Sequence, residues 1–331
     1  MSNRLIVVTG GAGFIGSNIV ARLAPTCEVV VCDRFGDAAL AKWRNVAKHP
    51  IADLVAPDAL ADWLQAHRRE VGAIIHMGAI SATTEPDVDR IVANNFVLSR
   101  DLWRFCTEHG VRMIYASSAA TYGDGAEGFS GRDDVDALAA LRPLNAYGWS
   151  KAAFDLYAAR SAQKGVAPPQ WAGLKFFNVY GPNEYHKGAM KSVAAHIWPQ
   201  VAAGERVSLF KSHRPDFADG GQLRDFVYVR DAAQVVAWLL NNPQINGVYN
   251  LGTGEARSFA DLAAAVFKAA RREPIITYGD MPQGLRDQYQ YFTQADVSRL
   301  RRAGYDQSFT TLEAGIGDYV GRFLSQPDPY L

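Results

Sequence analysis

Leu5-Ile6-Val7-Val8-Thr9-Gly10-Gly11-Ala12-Gly13-Phe14-Ile15-Gly16 is an apolar run that breaks into glycines, and its reading decides the fold. Four consecutive apolar residues suit a strand buried on both faces. Behind the glycines, Ile15, Ile19, Val20 and Leu23 recur at helical spacing, and the next apolar run, Val29-Val30-Val31-Cys32, closes on Asp33. Strand, glycine turn, helix, strand and acid stand in the order of a dinucleotide-binding unit. Gly10, Gly13 and Gly16 let the backbone approach a pyrophosphate at the helix N-terminus. Asp33 follows Gly16 by 17 residues, where an acid accepts hydrogen bonds from the adenosine ribose. An acid repels a 2'-phosphate, whereas Arg34, Lys42 and Arg44 attract one, so both NAD and NADP stay open on these residues.

Outward from this unit the alternation continues: a strand at 51–54, a helix at 58–68, a strand at 73–76, a long helix over 88–109 and a strand at 112–116. The repeated order implies an α/β fold, a Rossmann-type doubly wound parallel sheet with right-handed crossovers. Gly78 ends the strand beside the first one and admits the cofactor backbone, while His76 reads as a strand-end core histidine. One amide of Asn94-Asn95 is placed to anchor backbone or cofactor near the switch point. Ser118, just past the fifth strand, faces the crevice where such sheets bind ligands.

Residues 124–141 form a surface excursion. Pro143-Leu144-Asn145 then introduces a helix carrying Tyr147 and Lys151, four residues apart and so one turn apart on one face. A phenol titrates near ~10, and a cation beside it favours the phenolate a base needs; Lys151 is the candidate. After the break at Pro168-Pro169, a strand at 174–177 is closed by 178–182. Polar residues 183–190 begin a substrate region, and 211–224, with Lys211, His213, Arg214 and Arg224, reads as a mobile lid. Strands at 225–229 and 248–252 return to complete the sheet. The expected division is a dinucleotide-binding domain over 1–180, completed by 225–252, and a smaller mixed α/β substrate region over 181–224 and 253–331.

The 331 residues carry 34 Lys plus Arg and 34 Asp plus Glu, so zero net charge gives no footprint for nucleic acid or an anionic membrane. Three cysteines without a Cys-x-x-Cys pair exclude a disulfide framework and a thiolate metal site. No apolar run approaches the ~18 residues of a membrane span, and no secretory leader precedes the first strand, so a cytoplasmic protein is expected.

With the glycine turn, Ser118, Tyr147 and Lys151 in this order, the chain resembles the extended short-chain dehydrogenase/reductase family from Leu5 to Phe323. Thr83-Thr84-Glu85, Ser117 to Gly123, His186 to Met190, Arg224 to Val229 and Tyr289 to Asp296 look like the branch of nucleotide-sugar epimerases that acts on ADP-heptose. The resemblance implies inversion of C6 of ADP-D-glycero-D-manno-heptose, a precursor of the lipopolysaccharide core, with tightly bound NADP, NAD not being excluded. Ser118 would polarise the reacting oxygen, Tyr147 act as a base assisted by Lys151, and Lys187 act as a second base. Cofactor contacts would come from Gly10, Gly13, Phe14, Ile15, Gly16, Asp33, Arg34, Lys42, Met77, Gly78, Ala79, Ile80, Ser81, Asn94, Lys151 and Val179. Substrate contacts would come from Asn178, His196, Phe210, Arg224 and Tyr289. A homo-oligomer, a pentamer in that branch, is also implied.

Two departures touch substrate contacts: Ala189 stands where the branch commonly has serine, and 211–224 exceeds its shortest form. A 4,6-dehydratase needs acids where this chain has Ala119 and Ala120. A hexose 4-epimerase shares Ser118, Tyr147 and Lys151 and differs at His186-Lys187. A dinucleotide-sensing protein would need neither Tyr147 nor Lys151. Inversion places the hydroxyl on opposite sides in substrate and product, which calls for two bases. Lys187 must then have its pKa lowered from ~10.4, by burial or by cationic neighbours such as His186 and Lys191.

Overall fold

The structure, a computed structural model, describes residues 4–286 and 289–331. The opening apolar run forms β1 (Leu5–Thr9), which pairs in parallel with β2 (Val29–Cys32). β3 (Asp53–Val55) flanks β2, and β4 (Val71–His76) takes the other side of β1. The sheet runs on through β5 (Arg112–Ser118) and β6 (Trp171–Phe176). β7 (Asn178–Tyr180), β8 (Val207–Phe210) and β9 (Leu223–Tyr228) lie outside it, and β10 (Gly247–Leu251) returns to its edge. The resulting order is β10-β6-β5-β4-β1-β2-β3, parallel throughout, and it reverses direction between β1 and β4.

Helices α1 (Phe14–Leu23), α2 (Leu60–Ala66), α3 (Val88–Ile91), α4 (Leu98–His109), α5 (Val135–Ala140) and α6 (Ala146–Gln163) follow the early strands. α7 (Val193–Ala203), α8 (Val229–Asn241) and α9 (Phe259–Ala269) belong to the later chain. Because strand side chains alternate, β1 feeds two cores. Ile6 and Val8 pack with Ile19 and Val20 of α1 and Val235 and Val236 of α8, whereas Val7 packs with Trp103 of α4 and Phe154 of α6. A third core joins α7, α9 and the helix Leu312–Tyr319 beneath β9. There β9 lies between β7 and β11 (Ala256–Ser258), and β12 (Ile276–Gly279) pairs with β8. None of the helices described is long and apolar enough to cross a membrane.

Several sequence expectations shift. β3 begins two residues later than expected. β6 starts at Trp171, earlier than expected, and ends at Phe176; residues 178–180 close it as expected, the Val179 N–H bonding back to the Phe177 carbonyl at 3.0 Å in a three-residue turn that lifts the chain out of the ladder. β7 therefore pairs with β9. Of the two late strands expected to complete the main sheet, only β10 does so, because β9 is already held on both edges by β7 and β11. The helix over 88–109 carries a wider π turn at Val92–Val97. The excursion 124–141 contains α5, capped by Asp134. Residues 211–222 close on themselves, the Ser212 N–H donating to Asp219, the Gln222 amide to the Phe210 and Lys211 carbonyls, and the His213 N–H to the Tyr291 hydroxyl.

His76 holds the switch point together. The Gly78 N–H donates to Thr9 Oγ1 (3.2 Å), which donates to His76 Nδ1 (2.6 Å); His76 Nε2 lies 2.9 Å from Ser99 Oγ, which donates to the Asn95 carbonyl. That carbonyl only accepts, so the Ser99 hydroxyl accepts from Nε2–H, and a neutral imidazole then accepts at Nδ1. Burial, aided by the charge of Lys151, pushes His76 down to about 3. A histidine buried neutral stabilises the fold fully above its unfolded pKa, and that stability is lost as pH falls from there toward the folded value. Between about pH 7.5 and about pH 5, this group alone should remove about 2 kcal/mol. Urea denaturation at both pH values should therefore give a smaller drop for His76→Gln than for the unaltered chain; equal drops would contradict a neutral His76.

Candidate active site

The site grows from the carboxyl ends of the parallel strands. Gly10 leaves β1 at φ +64°, and a Cβ there would stand 2.7 Å from the Gly78 backbone, so the turns after β1 and β4 touch. α1 starts at Gly13 with no side-chain cap, leaving its first N–H groups for an anion. Asp33 Oδ2 accepts from the Ala12 N–H (2.9 Å), and Oδ1 from the Arg34 N–H (2.7 Å) and Lys42 Nζ (2.6 Å). Arg34 reaches out to Asp58 in an exposed pair. Met77, Gly78, Ala79, Ile80 and Ser81 form the loop after β4. Ile80 is held at both its N–H and its carbonyl by the Asn95 amide, at 2.8 and 2.9 Å. The amide that anchors the backbone is thus Asn95, while Asn94 lies at the surface with its amide donating to the Arg90 carbonyl.

α6 brings the next group. Asn145 caps it by accepting from the Gly148 N–H at 2.8 Å, and a Cβ at Gly148 would lie 2.6 Å from the Ala120 carbonyl oxygen, so the helix rests directly on the turn Ala119–Tyr122. Ser118 caps that turn through the Ala120 N–H. Burial raises the Tyr147 phenol above its ordinary value; a hydrogen bond from Ser118 opposes the rise and the Asp155 carboxylate adds to it. The expected lowering by Lys151 does not appear: burial dominates, and Ser118 is what opposes it. Lys151 is 3% exposed, and burial lowers it to about 8 against the opposing charge of Asp155. Among the described residues its Nζ has no hydrogen-bond acceptor, which leaves a buried donor whose charge reaches His76 at the end of β4.

Lys187 sits on a second surface of the cleft, in the turn Tyr185–Met190. Glu184, fully buried, accepts from Ser192 N–H (2.6 Å), Ser192 Oγ (2.7 Å) and the Tyr319 hydroxyl (3.0 Å). Asn183, at φ +74°, donates to Ser17 Oγ and the Asn45 carbonyl and accepts from the Leu331 N–H. Asn45, also buried, donates to the Ala12 and Asn183 carbonyls and faces His186 Nδ1 at 3.2 Å. Residues 328–331 tie back onto the same place: Asp328 pairs with Arg44 and Lys48, and the Tyr185 hydroxyl donates to the Pro329 carbonyl. The anchored turn sets Lys187 Nζ 5.0 Å over the Phe14 ring. Burial lowers the Lys187 pKa, with Glu184 opposing. His186 is not the cationic neighbour expected, since burial first and the nearby lysines second push it down to about 4.

Of the substrate residues expected, Arg224 and Tyr289 meet, the guanidinium 5.0 Å over the ring. Arg224 is buried, donates to the Leu223 carbonyl and has no carboxylate partner among the described residues. Asn178 stands opposite Phe226 on the neighbouring strand, next to Val179. His196 bonds the Ala189 carbonyl beside Lys187, and Phe210 presents an exposed ring. Asn45, Glu184 and a buried Asp155–Lys175 pair, at 0% exposure for both side chains, were missed by the sequence reading.

The profile of the NAD dependent epimerase/dehydratase family matches residues 6–252. The chain belongs to that family. Within it, the chain is 49% identical to an ADP-L-glycero-D-manno-heptose-6-epimerase of Nitratidesulfovibrio vulgaris over 332 residues, covering 99% of this chain and 100% of the relative. The solved Helicobacter pylori ADP-L-glycero-D-manno-heptose-6-epimerase superposes with a TM-score of 0.78 at 28% identity, covering 97% of this chain and 96% of the other. Thermus thermophilus UDP-glucose 4-epimerase, solved in complex with NAD, gives 0.72 at 27% identity over 96% and 99% of the two chains. Membership makes a nicotinamide dinucleotide the cofactor class.

The Asn95 anchor separates the two neighbouring amides in stability. Asn95→Ala leaves both polar groups of Ile80 without partners and should cost about 2–3 kcal/mol. Asn94→Ala should stay within about 0.5 kcal/mol of the parent. Chemical denaturation of both variants checks the order, and the reverse order would refute it.

Proposed function

We propose that this chain inverts C6 of ADP-D-glycero-D-manno-heptose to the L-glycero epimer. The observation that carries the reading is Lys187, whose pKa burial lowers and which the turn 185–190 sets over the Phe14 ring, on a different element from Ser118 and Tyr147. Such a site has proton-transfer groups on two elements, as inversion requires. A bound nicotinamide would supply reversible hydride transfer at C6, through a 6-keto sugar and with no net redox change.

The chain's own residues do the rest. Ser118 donates to the reacting oxygen. Tyr147 exchanges its hydroxyl proton for one orientation of that oxygen, and Lys187 for the other. A lysine lowered by burial is neutral for a larger fraction of the time near neutrality, which is the state a base needs. Lys151, charged below about 8, would donate to the cofactor ribose. Arg224, a buried cation without a carboxylate, suits the diphosphate of the substrate, with Tyr289, Asn178, His196 and Phe210 around it. Gly10, Gly13, Phe14, Ile15, Gly16 and residues 77–81 would hold the dinucleotide.

NADP is the preferred form in this reading. The exposed Arg34–Asp58 pair is worth little, so Arg34 exchanges readily onto a 2'-phosphate beside Lys42. The dinucleotide released on denaturation decides it: NADP is expected, and NAD alone would overturn the preference.

Incubation with ADP-D-glycero-D-manno-heptose and no added reductant should yield the L-glycero sugar, read by its stereochemistry. Turnover of a UDP-hexose in its place would overturn the substrate. Lys187→Ala should lower kcat about 100- to 10,000-fold while the dinucleotide stays bound. For the direction in which Lys187 accepts the proton, the rate should climb with pH through its lowered pKa and then level; a rate that falls over that range would rule the lysine out as base.

A further inference from the structure

Three groups on α6 share one face at successive turns: Tyr147, Lys151 and Asp155. The reaction proposed above uses the first two. Asp155 is wholly buried, and so is its partner on β6, with Lys175 Nζ 2.7 Å from Asp155 Oδ2. The carboxylate also accepts from Ser117 Oγ at 2.7 Å and from the Tyr115 hydroxyl at 3.1 Å, both on β5. On its other side Lys175 donates to Thr121 Oγ1 at 2.7 Å, and that hydroxyl donates to the Ser118 carbonyl at 2.8 Å. One continuous run of hydrogen bonds therefore starts on the Tyr147 helix and ends on the residue that caps the neighbouring turn.

Stability gives no reason for an ion pair here, since apolar side chains of similar volume fill a core at least as well. Fixed direction is what a charged pair bonded to both neighbouring elements adds. The position is also the one where direction matters: α6 already rests on the turn after Ser118, where Gly148 meets the Ala120 carbonyl. The Asp155 charge reaches both Tyr147 and Lys151.

We propose that Asp155, Lys175 and Thr121 are positioning residues, a buried clamp that locks the helix bearing Tyr147 and Lys151 against the turn bearing Ser118. The proposal rests on the proton-transfer roles given to those three residues, but not on which sugar is turned over. Its test accordingly uses whichever nucleotide sugar the unaltered protein epimerises, so a wrong substrate and a wrong clamp give different results.

The decisive variant is the double replacement Asp155→Leu with Lys175→Met, which removes both charges and keeps the volume. The melting temperature should fall, because the buried Ser117 and Tyr115 hydroxyls lose their acceptor, while dinucleotide retention stays near the parent. The kcat should fall about 100-fold with KM changed less than about threefold, as expected when reacting groups lose alignment. The near-ultraviolet absorbance of reduced nicotinamide, formed on mixing with substrate, should rise correspondingly more slowly. A folded, dinucleotide-loaded double variant with kcat within about threefold of the parent would overturn the clamp. Should the double variant fail to fold, Thr121→Val decides, because it cuts only the link from Lys175 to the Ser118 turn. A kcat about tenfold lower at unchanged KM is expected, and an unchanged kcat overturns the proposal.

Discussion

Gly10 turns the chain out of β1 so tightly that an added Cβ would stand 2.7 Å from the backbone of Gly78. This contact sets the depth of the cleft at the point where the strand order reverses. Thr9, one residue earlier, accepts from the Gly78 N–H and donates to His76, so the floor is held by hydrogen bonds as well as by contact. Asn95 then carries the same restraint into the loop over residues 78–81 and on to Ser150 of α6, the neighbour of Lys151. The cofactor floor and the Tyr147 helix are consequently parts of one framework.

Burial is the common cause of the site's electrostatics. It holds His76 and His186 neutral, draws Lys151 and Lys187 down, and raises Tyr147. Partner charges enter second for the histidines and lysines, and for both lysines the nearby carboxylate opposes the shift. A water-poor cleft makes each remaining hydrogen bond stronger and each misplaced one more costly.

Much of this was readable in the sequence because the signals are local. Apolar runs ending in glycine or serine placed β1, β4 and β5, and the spacing of Tyr147 and Lys151 put them on one helix face. What escaped depends on partners distant in the chain. Where residues 178–180 pair after leaving β6 turns on one backbone bond at Phe177 and on a strand 45 residues further along, and no pattern of apolar residues reports either. The choice between Asn94 and Asn95 turns on a π turn, which shifts the helical face by one residue and has no composition of its own. Asp155 and Lys175 read as ordinary polar positions until β6 is laid against β5. His186 next to Lys187 suggested a cation, whereas the fold buries it and takes the charge away.

Residues 328–331 close onto Arg44, Lys48 and Tyr185, while Asn183 holds the Leu331 N–H. Three stretches of sequence that lie more than a hundred residues apart thus share one set of bonds. The segment carrying Lys42, the turn carrying Lys187 and this last stretch lose their conformational freedom together. Ordering any one leaves less entropy to be lost by the other two, so a ligand that settles residues 42–48 also stiffens the turn on which Lys187 stands.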